Sequence, residues 1–234
     1  MAEKEAMVLV PGLLCDRTLW AHQMEFLRDV ANPMVADTLS DDSIAHMADR
    51  LLAAAPERFA LAGLSMGGYV AFEVMRRAPE RVSRLALMDT SAAPDDPDKT
   101  KIRKGLIRLA EMGKFKGVTP RLLPMLVHED RLEDEQLCGA ITEMAGRVGK
   151  DSFVSQQRAI MGRADSRESQ ADISVPTLVL CGRQDVLTPL EAHEEMADAI
   201  PTARLCVIEE CGHLATMERP HAVTALMRDW LLRP

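Results

Sequence analysis

The chain has 234 residues, 47% hydrophobic and 27% charged, with a net charge of −8. That is enough for one domain with a full core, and the acidic balance argues against a nucleic-acid or anionic-membrane surface as the main partner. No window approaches the roughly 18 uninterrupted apolar residues of a membrane span. The acidic start, Met1 to Glu5, leads into an apolar run that Pro11-Gly12 cuts short, which does not make a secretory signal. The five cysteines (Cys15, Cys138, Cys181, Cys206 and Cys211) are odd in number and lack paired ligand spacing. They read as reduced thiols of a cytoplasmic protein with no metal site.

Short apolar runs rich in strand formers recur along the chain: Ala6 to Val10, Met34 to Ala36, Phe59 to Leu64, Leu85 to Met88, Thr177 to Cys181 and Leu205 to Ile208. Runs apolar on both faces predict a buried parallel sheet of about six strands. Between them lie helical patterns at Leu19 to Leu27, Ile44 to Ala55, Gly67 to Arg77, Pro189 to Ile200 and Pro220 to Leu232. In the second, Ile44, Met47, Ala48, Leu51, Leu52 and Ala55 recur at steps of three and four behind Ser43 or Asp42 as N-cap. Alternating strand and helix predicts an α/β domain wound on both faces of its sheet. From 92 to 171 the alternation stops. Helical segments are expected there at Lys101 to Met112, Arg121 to Val127, Asp134 to Val148 and Ser152 to Met161, so 92–171 reads as a helical cap inserted between two core portions, 1–91 and 172–234.

The most informative motif is Gly63-Leu64-Ser65-Met66-Gly67-Gly68, a strand, a sharp turn and a helix with a serine at the apex. Small-x-Ser-x-Gly strings also arise by chance, and a glycine-rich strand-to-helix turn can hold a phosphate. The Walker pattern needs a lysine after the glycines, and the dinucleotide pattern needs Gly-x-Gly-x-x-Gly; neither is present. The apex instead suits a nucleophile elbow, with the Met66 N–H and the helix dipole facing charge that develops at Ser65. Such a serine needs a base and an acid. Cys211-Gly212-His213 follows the last strand and Gly182-Arg183-Gln184-Asp185 the one before. Carboxyl ends of parallel strands share one edge, so Ser65, Asp185 and His213 are expected to converge as nucleophile, acid and base. Leu13, in the loop after the first strand, is the expected second backbone donor to an oxyanion beside Met66. Asp89, at the end of the strand after the elbow helix, is the rival acid, read here as a loop anchor. Leu14, Cys15 and Trp20 behind the oxyanion loop, and Met125, Met144 and Met161 in the cap, are candidate pocket residues; for the methionines, and for Met112, plain core packing competes. Arg158 and Arg163 are weighed as carboxylate binders against a solvated helix face.

Taken together, the Pro11-Gly12 loop, the Gly63 to Gly68 elbow, the Gly182 to Asp185 turn with Thr188-Pro189, and Cys211-Gly212-His213 with Glu218-Arg219-Pro220 resemble the α/β-hydrolase superfamily over nearly the whole chain. Within it the chain looks most like small bacterial esterases and enol-lactone hydrolases with a helical cap. The resemblance implies a cofactor-independent serine hydrolase of a small-molecule ester or lactone, monomeric or homodimeric. Two departures stand out: Pro11 replaces a histidine frequent at that loop, and the usual two leading antiparallel strands are expected to be missing. A C–C hydrolase, lyase or acyltransferase on the same triad, or a ligand receptor with slow turnover, are the alternatives.

Overall fold

A computed structural model describes residues 4–233. The strands expected from the apolar runs form, in chain order, β1 (Glu5–Val10), β2 (Ala31–Val35), β3 (Phe59–Leu64), β4 (Val82–Met88), β5 (Thr177–Gly182) and β6 (Ala203–Ile208). They pair in the order β2-β1-β3-β4-β5-β6, and every pairing is parallel. β2 starts earlier than its apolar run suggests because Pro33 is tolerated there: β2 is an edge strand, where a missing N–H need not break a ladder.

The helices are α1 (Ala21–Phe26), α2 (Ile44–Ala54), α3 (Met66–Arg77), α4 (Pro97–Leu109), α5 (Glu135–Met161), α6 (Leu190–Ala199), α7 (Ala215–Glu218) and α8 (Pro220–Leu232). Strand side chains alternate between two cores. Met7, Leu9, Ala62, Met88 and Leu180 face the side of α8, where Val223, Met227 and Trp230 lie; Val8, Val10, Leu61, Leu87 and Val179 face α2, α3 and α6, with Met47, Val70 and Met196. The Ser43 Oγ accepts the His46 N–H at 3.1 Å and starts α2, a cap that contributes about 1 kcal/mol.

Between β4 and β5 the described residues contain helices and turns but no strand. Asp96 caps α4 by accepting the Lys99 N–H at 2.7 Å, with Pro97 in its first turn, so the helix starts four residues before the expected Lys101. The segment expected to be helical from Arg121 to Val127 makes only a 3₁₀ turn, Leu123–Met125, because Pro124 inside it cannot donate to a helical ladder. The two arms expected at 134–148 and 152–161 abut as α5, bent at Gly149, whose φ of 78° and ψ of 178° are open only to glycine. Leu19 to Leu27 divides into a 3₁₀ turn (Arg17–Trp20) and α1.

Candidate active site

The chain reverses direction across the sheet between β1 and β3, whose neighbours run off to opposite sides. Loops after such strands diverge and leave a crevice. The Pro11-Gly12-Leu13-Leu14 loop follows β1 and the Ser65 turn follows β3. They touch: a Cβ on Gly67 would overlap the Val10 carbonyl, and one on Gly12 would sit 3.3 Å from the Ser65 Cβ. Glycine at these two positions lets the loop lie against the turn.

Ser65 itself has φ 55° and ψ −116°. That conformation costs a residue with a side chain about 1–3 kcal/mol and must be held from outside. Three hydrogen bonds hold it: Ser65 N–H to the Met88 carbonyl at 3.0 Å, Gly68 N–H to the Ser65 carbonyl at 2.9 Å, and the Thr90 hydroxyl to the same carbonyl at 2.8 Å. The Ser65 Oγ makes no capping hydrogen bond to α3. His213 Nε2 lies 2.9 Å from that oxygen, and His213 Nδ1 lies 2.8 Å from Asp185 Oδ2. Serine, imidazole and carboxylate thus form one hydrogen-bonded line from three strand ends. Ser65 is half-buried, while His213 and Asp185 are buried.

The far end of the line is fixed by Thr188. Its N–H donates to Asp185 Oδ1 at 3.0 Å, its hydroxyl donates to Oδ2 at 2.6 Å, and the Leu187 N–H adds a third bond at 2.9 Å. Burial alone would raise the Asp185 carboxyl, but His213 and these donors outweigh it and hold it below the usual aspartate value. Asp89 sits in the opposite balance. It is fully buried at the end of β4 and, among the described residues, accepts the Gly182 N–H at 3.0 Å and the Ala215 N–H at 3.3 Å. Burial, then repulsion from Asp185, pushes its carboxyl well above the ordinary value. Asp89 therefore ties the acid turn to the segment after His213 and makes no hydrogen bond to the imidazole. Next to it His193 accepts the Thr90 N–H through Nε2 at 3.0 Å and has Nδ1 3.2 Å from the Pro189 carbonyl. Burial lowers it to about 4, so it stays neutral at pH 7.

The histidine loop has its own anchor. Glu218, fully buried, accepts the Gly212 N–H and the His128 N–H, one on each carboxylate oxygen and both at 2.9 Å. The Leu214 N–H donates to the Leu126 carbonyl at 3.0 Å. The loop bearing His213 is thereby bound to the 126–128 segment of the cap.

Neither the Leu13 N–H nor the Met66 N–H donates to any described residue, whereas the neighbouring amides of Leu14, Cys15 and Ser65 do. Met66 heads α3 directly after Ser65, and Leu13 follows Gly12, where an added Cβ would sit 3.3 Å from the Ser65 Cβ. The residues proposed from sequence to line a pocket divide. Trp20 and Met144 are packed into the core with essentially no exposed surface, so the structure gives neither a face to offer a substrate. Leu14 is nearly buried, Met161 is half-buried against the core, and Met125 is exposed. Cys15 borders a cleft of about 480 Å³ shared with Pro11, Asp16 and Thr38. Burial pushes its thiol up to about 12, which leaves it protonated at neutral pH.

Arg158 pairs with Glu111 on the surface at 3.0 Å. Arg163 is not on a solvated face. Its guanidinium is buried, 2.9 Å from Asp95 Oδ1, bonded to the Ala93 and Ile160 carbonyls and stacked 4.2 Å from the Tyr69 ring. The polar residues that position the line are Thr90, Thr188, His193 and Glu218. Thr188 and Glu218 stand inside the quoted motifs; nothing in the sequence marks Thr90 or His193.

No helix among the described residues is long and apolar enough to cross a membrane, and no group of three or more His, Cys, Asp or Glu is arranged among them to hold a metal ion. A structure of an esterase from Thermogutta terrifontis, with malate bound, is 32% identical and superposes with a TM-score of 0.87 over 97% of this chain and 89% of the other. The enol-lactonase of Burkholderia xenovorans LB400 is 25% identical, with a TM-score of 0.87 over 99% of this chain and 93% of the other. By sequence, the 2-hydroxymuconate semialdehyde hydrolase of Pseudomonas sp. (strain CF600) is 29% identical over 96% of this chain and 80% of the relative. The profile described as "Alpha/beta hydrolase family" spans residues 7–226, and with that match the chain belongs to the alpha/beta hydrolase family.

Proposed function

We propose that the protein hydrolyses a small or medium carboxylic ester or lactone through an acyl-Ser65 intermediate. The observation that carries this reading is the line from Asp185 through His213 to Ser65, ending at the head of α3. A serine hydroxyl is a weak nucleophile at neutral pH. His213 Nε2, at 2.9 Å, takes its proton as Oγ attacks the carbonyl, then returns it to the leaving alcohol. Asp185 fixes the tautomer that presents Nε2 as the acceptor and stabilises the imidazolium. The tetrahedral oxygen is received by the Leu13 and Met66 amides, each contributing about 3 kcal/mol to lowering the barrier. Water activated by His213 then releases the acid. The Pro11 substitution in the loop leaves this intact, because the donor is a main-chain N–H.

A second reading, hydrolysis of a C–C bond, draws support from the 2-hydroxymuconate semialdehyde hydrolase relative. The ester reading is favoured here because the cap arginines first considered for a substrate carboxylate, Arg158 and Arg163, are paired with Glu111 and Asp95. The test is a panel of nitrophenyl esters of graded acyl length, lactones and vinylogous 1,5-diketo acids, run on wild type and Ser65→Ala. The expected result is highest kcat/KM on an ester or lactone, with a loss on the order of 10⁴-fold or more in the variant. Wild-type turnover by Ser65→Ala would end the mechanism, and preference for the diketo acid would install the C–C reading.

A further inference from the structure

The Leu13 amide can serve as an oxyanion donor only if the loop that carries it holds its turn. The loop's own sequence does not secure that. Leu14, the next residue, has φ 57°, a left-handed conformation that costs a leucine about 1–2 kcal/mol. Within the loop, the one main-chain bond that stabilises the turn is Cys15 N–H to the Gly12 carbonyl at 3.2 Å. What engages the Leu14 N–H comes from 142 residues away. Gln156, in the second arm of α5, accepts it through Oε1 at 3.0 Å and donates through Nε2 to the Thr38 carbonyl at 3.1 Å. Its side chain is completely buried. The amide orientation is dictated by its partners, since an N–H can only meet the oxygen and a carbonyl only the nitrogen.

We infer that Gln156 is a positioning residue for the oxyanion hole, so that the cap does more than cover the site and helps to build it. By holding the Leu14 N–H, it pins the left-handed residue and leaves the adjacent Leu13 N–H directed at the serine. Its second bond fixes the loop after β2 at the same time, so the loops after β1 and β2 and the cap are locked through one side chain. An unpartnered Leu14 N–H would be buried without water, and the loop would relax toward an ordinary conformation to satisfy it. The cost would fall on the transition state, in which the oxygen carries charge, more than on substrate binding.

This inference rests on the acyl-serine reading above, and its experiment separates the two. Gln156→Met keeps the volume and removes both bonds; Gln156→Glu keeps an acceptor for the Leu14 N–H and, in its neutral acid form, an O–H donor to the Thr38 carbonyl, and serves as the second variant if the first does not fold. The expected result for Gln156→Met on the best ester is a fall in kcat of about 10- to 100-fold, smaller than loss of a whole donor, with KM within about threefold. Phosphonylation of Ser65 by a fluorophosphonate should slow in parallel, because the phosphonyl oxygen occupies the same hole. Gln156→Glu should retain more of kcat than Gln156→Met. Leu14 amide exchange, followed by NMR, should be slow in wild type and in Gln156→Glu and fast in Gln156→Met. A kcat for Gln156→Met within twofold of wild type, equal losses in both variants, or a loss confined to KM would overturn the inference. If wild type shows no Ser65-dependent turnover, the acyl-serine reading fails instead, and the exchange measurement still decides whether Gln156 holds the loop.

Discussion

At the carboxyl rim of the sheet, a Cβ added to Gly67 would run into the Val10 carbonyl, and one added to Gly182 would run into the carbonyls of Cys211 and Gly212. In the cap, a Cβ on Gly105 or Gly139 would meet nothing within 4 Å. All four described non-glycine residues with positive φ, Leu14, Ser65, Asp89 and Glu210, lie in loops after β1, β3, β4 and β6. None lies in the cap. Backbone strain at residues that carry a side chain is therefore concentrated where the reacting groups meet, and the cap is joined to that rim by contacts such as Gly212 against Val127 and Gln156 on Leu14. A rim of this kind holds its groups in one arrangement, and the cap, away from Gln156 and the 126–128 segment, can differ without disturbing them.

Four substitutions probe that contrast. The largest effect is expected at Asp185→Asn, which keeps the shape but reverses the imidazole tautomer; kcat should fall about 10⁴-fold while thermal unfolding changes little. A fall of less than tenfold would move the acid's role to Asp89. Second, Gly67→Ala should destabilise the fold by more than about 3 kcal/mol in a denaturant titration, because backbone of two elements must part to admit a methyl group. Wild-type stability there would show the rim to be more pliant than its packing implies.

The third concerns a buried ion pair of the cap. Asp95, near its start, joins Arg163, near its end, and also Arg103 at 2.5 Å. Burial would raise the Asp95 carboxyl, but the two arginines outweigh it and hold it below its ordinary 3.8. A carboxyl depressed in the folded state contributes stability above its unfolded pKa and loses it as pH falls through the folded one. Asp95→Asn should thus cost about 3 kcal/mol at pH 7, since it strands a buried guanidinium, and the gap from wild type should narrow as pH drops below 3.8. A gap that does not depend on pH would assign the effect to packing. The smallest effect is Gly105→Ala, in the exposed middle of α4, expected to raise stability by about 0.5–1 kcal/mol without altering kcat. Destabilisation would reveal a constraint in the cap that the open space around Gly105 does not suggest.

Much of the rim was legible in the sequence because its elements are local. The strands are continuous apolar runs bounded by turns, and the Ser65, Asp185 and His213 motifs each occupy a few adjacent residues at a strand end. The cap was legible as helical but not in detail: Pro124 limits the expected helix at 121–127 to one turn, whereas the break between 148 and 152 falls at Gly149. The pocket was the least legible part. Trp20 and Met144 carry the composition of a pocket wall and the burial of a core, and nothing local distinguishes the two.

The sequence by itself determined an alternating parallel sheet, a serine on a turn that only small neighbours allow, and the order in which acid and base follow it, since these depend on periodicity, steric size and position relative to strand ends. Tertiary structure alone decided which buried groups hold those residues in place. That Thr90 props the Ser65 carbonyl, that Glu218 bridges the His213 loop to the cap, that Arg163 is spent on Asp95 and that Gln156 reaches Leu14 across 142 residues are all matters of side-chain reach between distant elements. Such pairings leave no local pattern, because a hydrogen bond needs two groups close in space and places no condition on their separation along the chain.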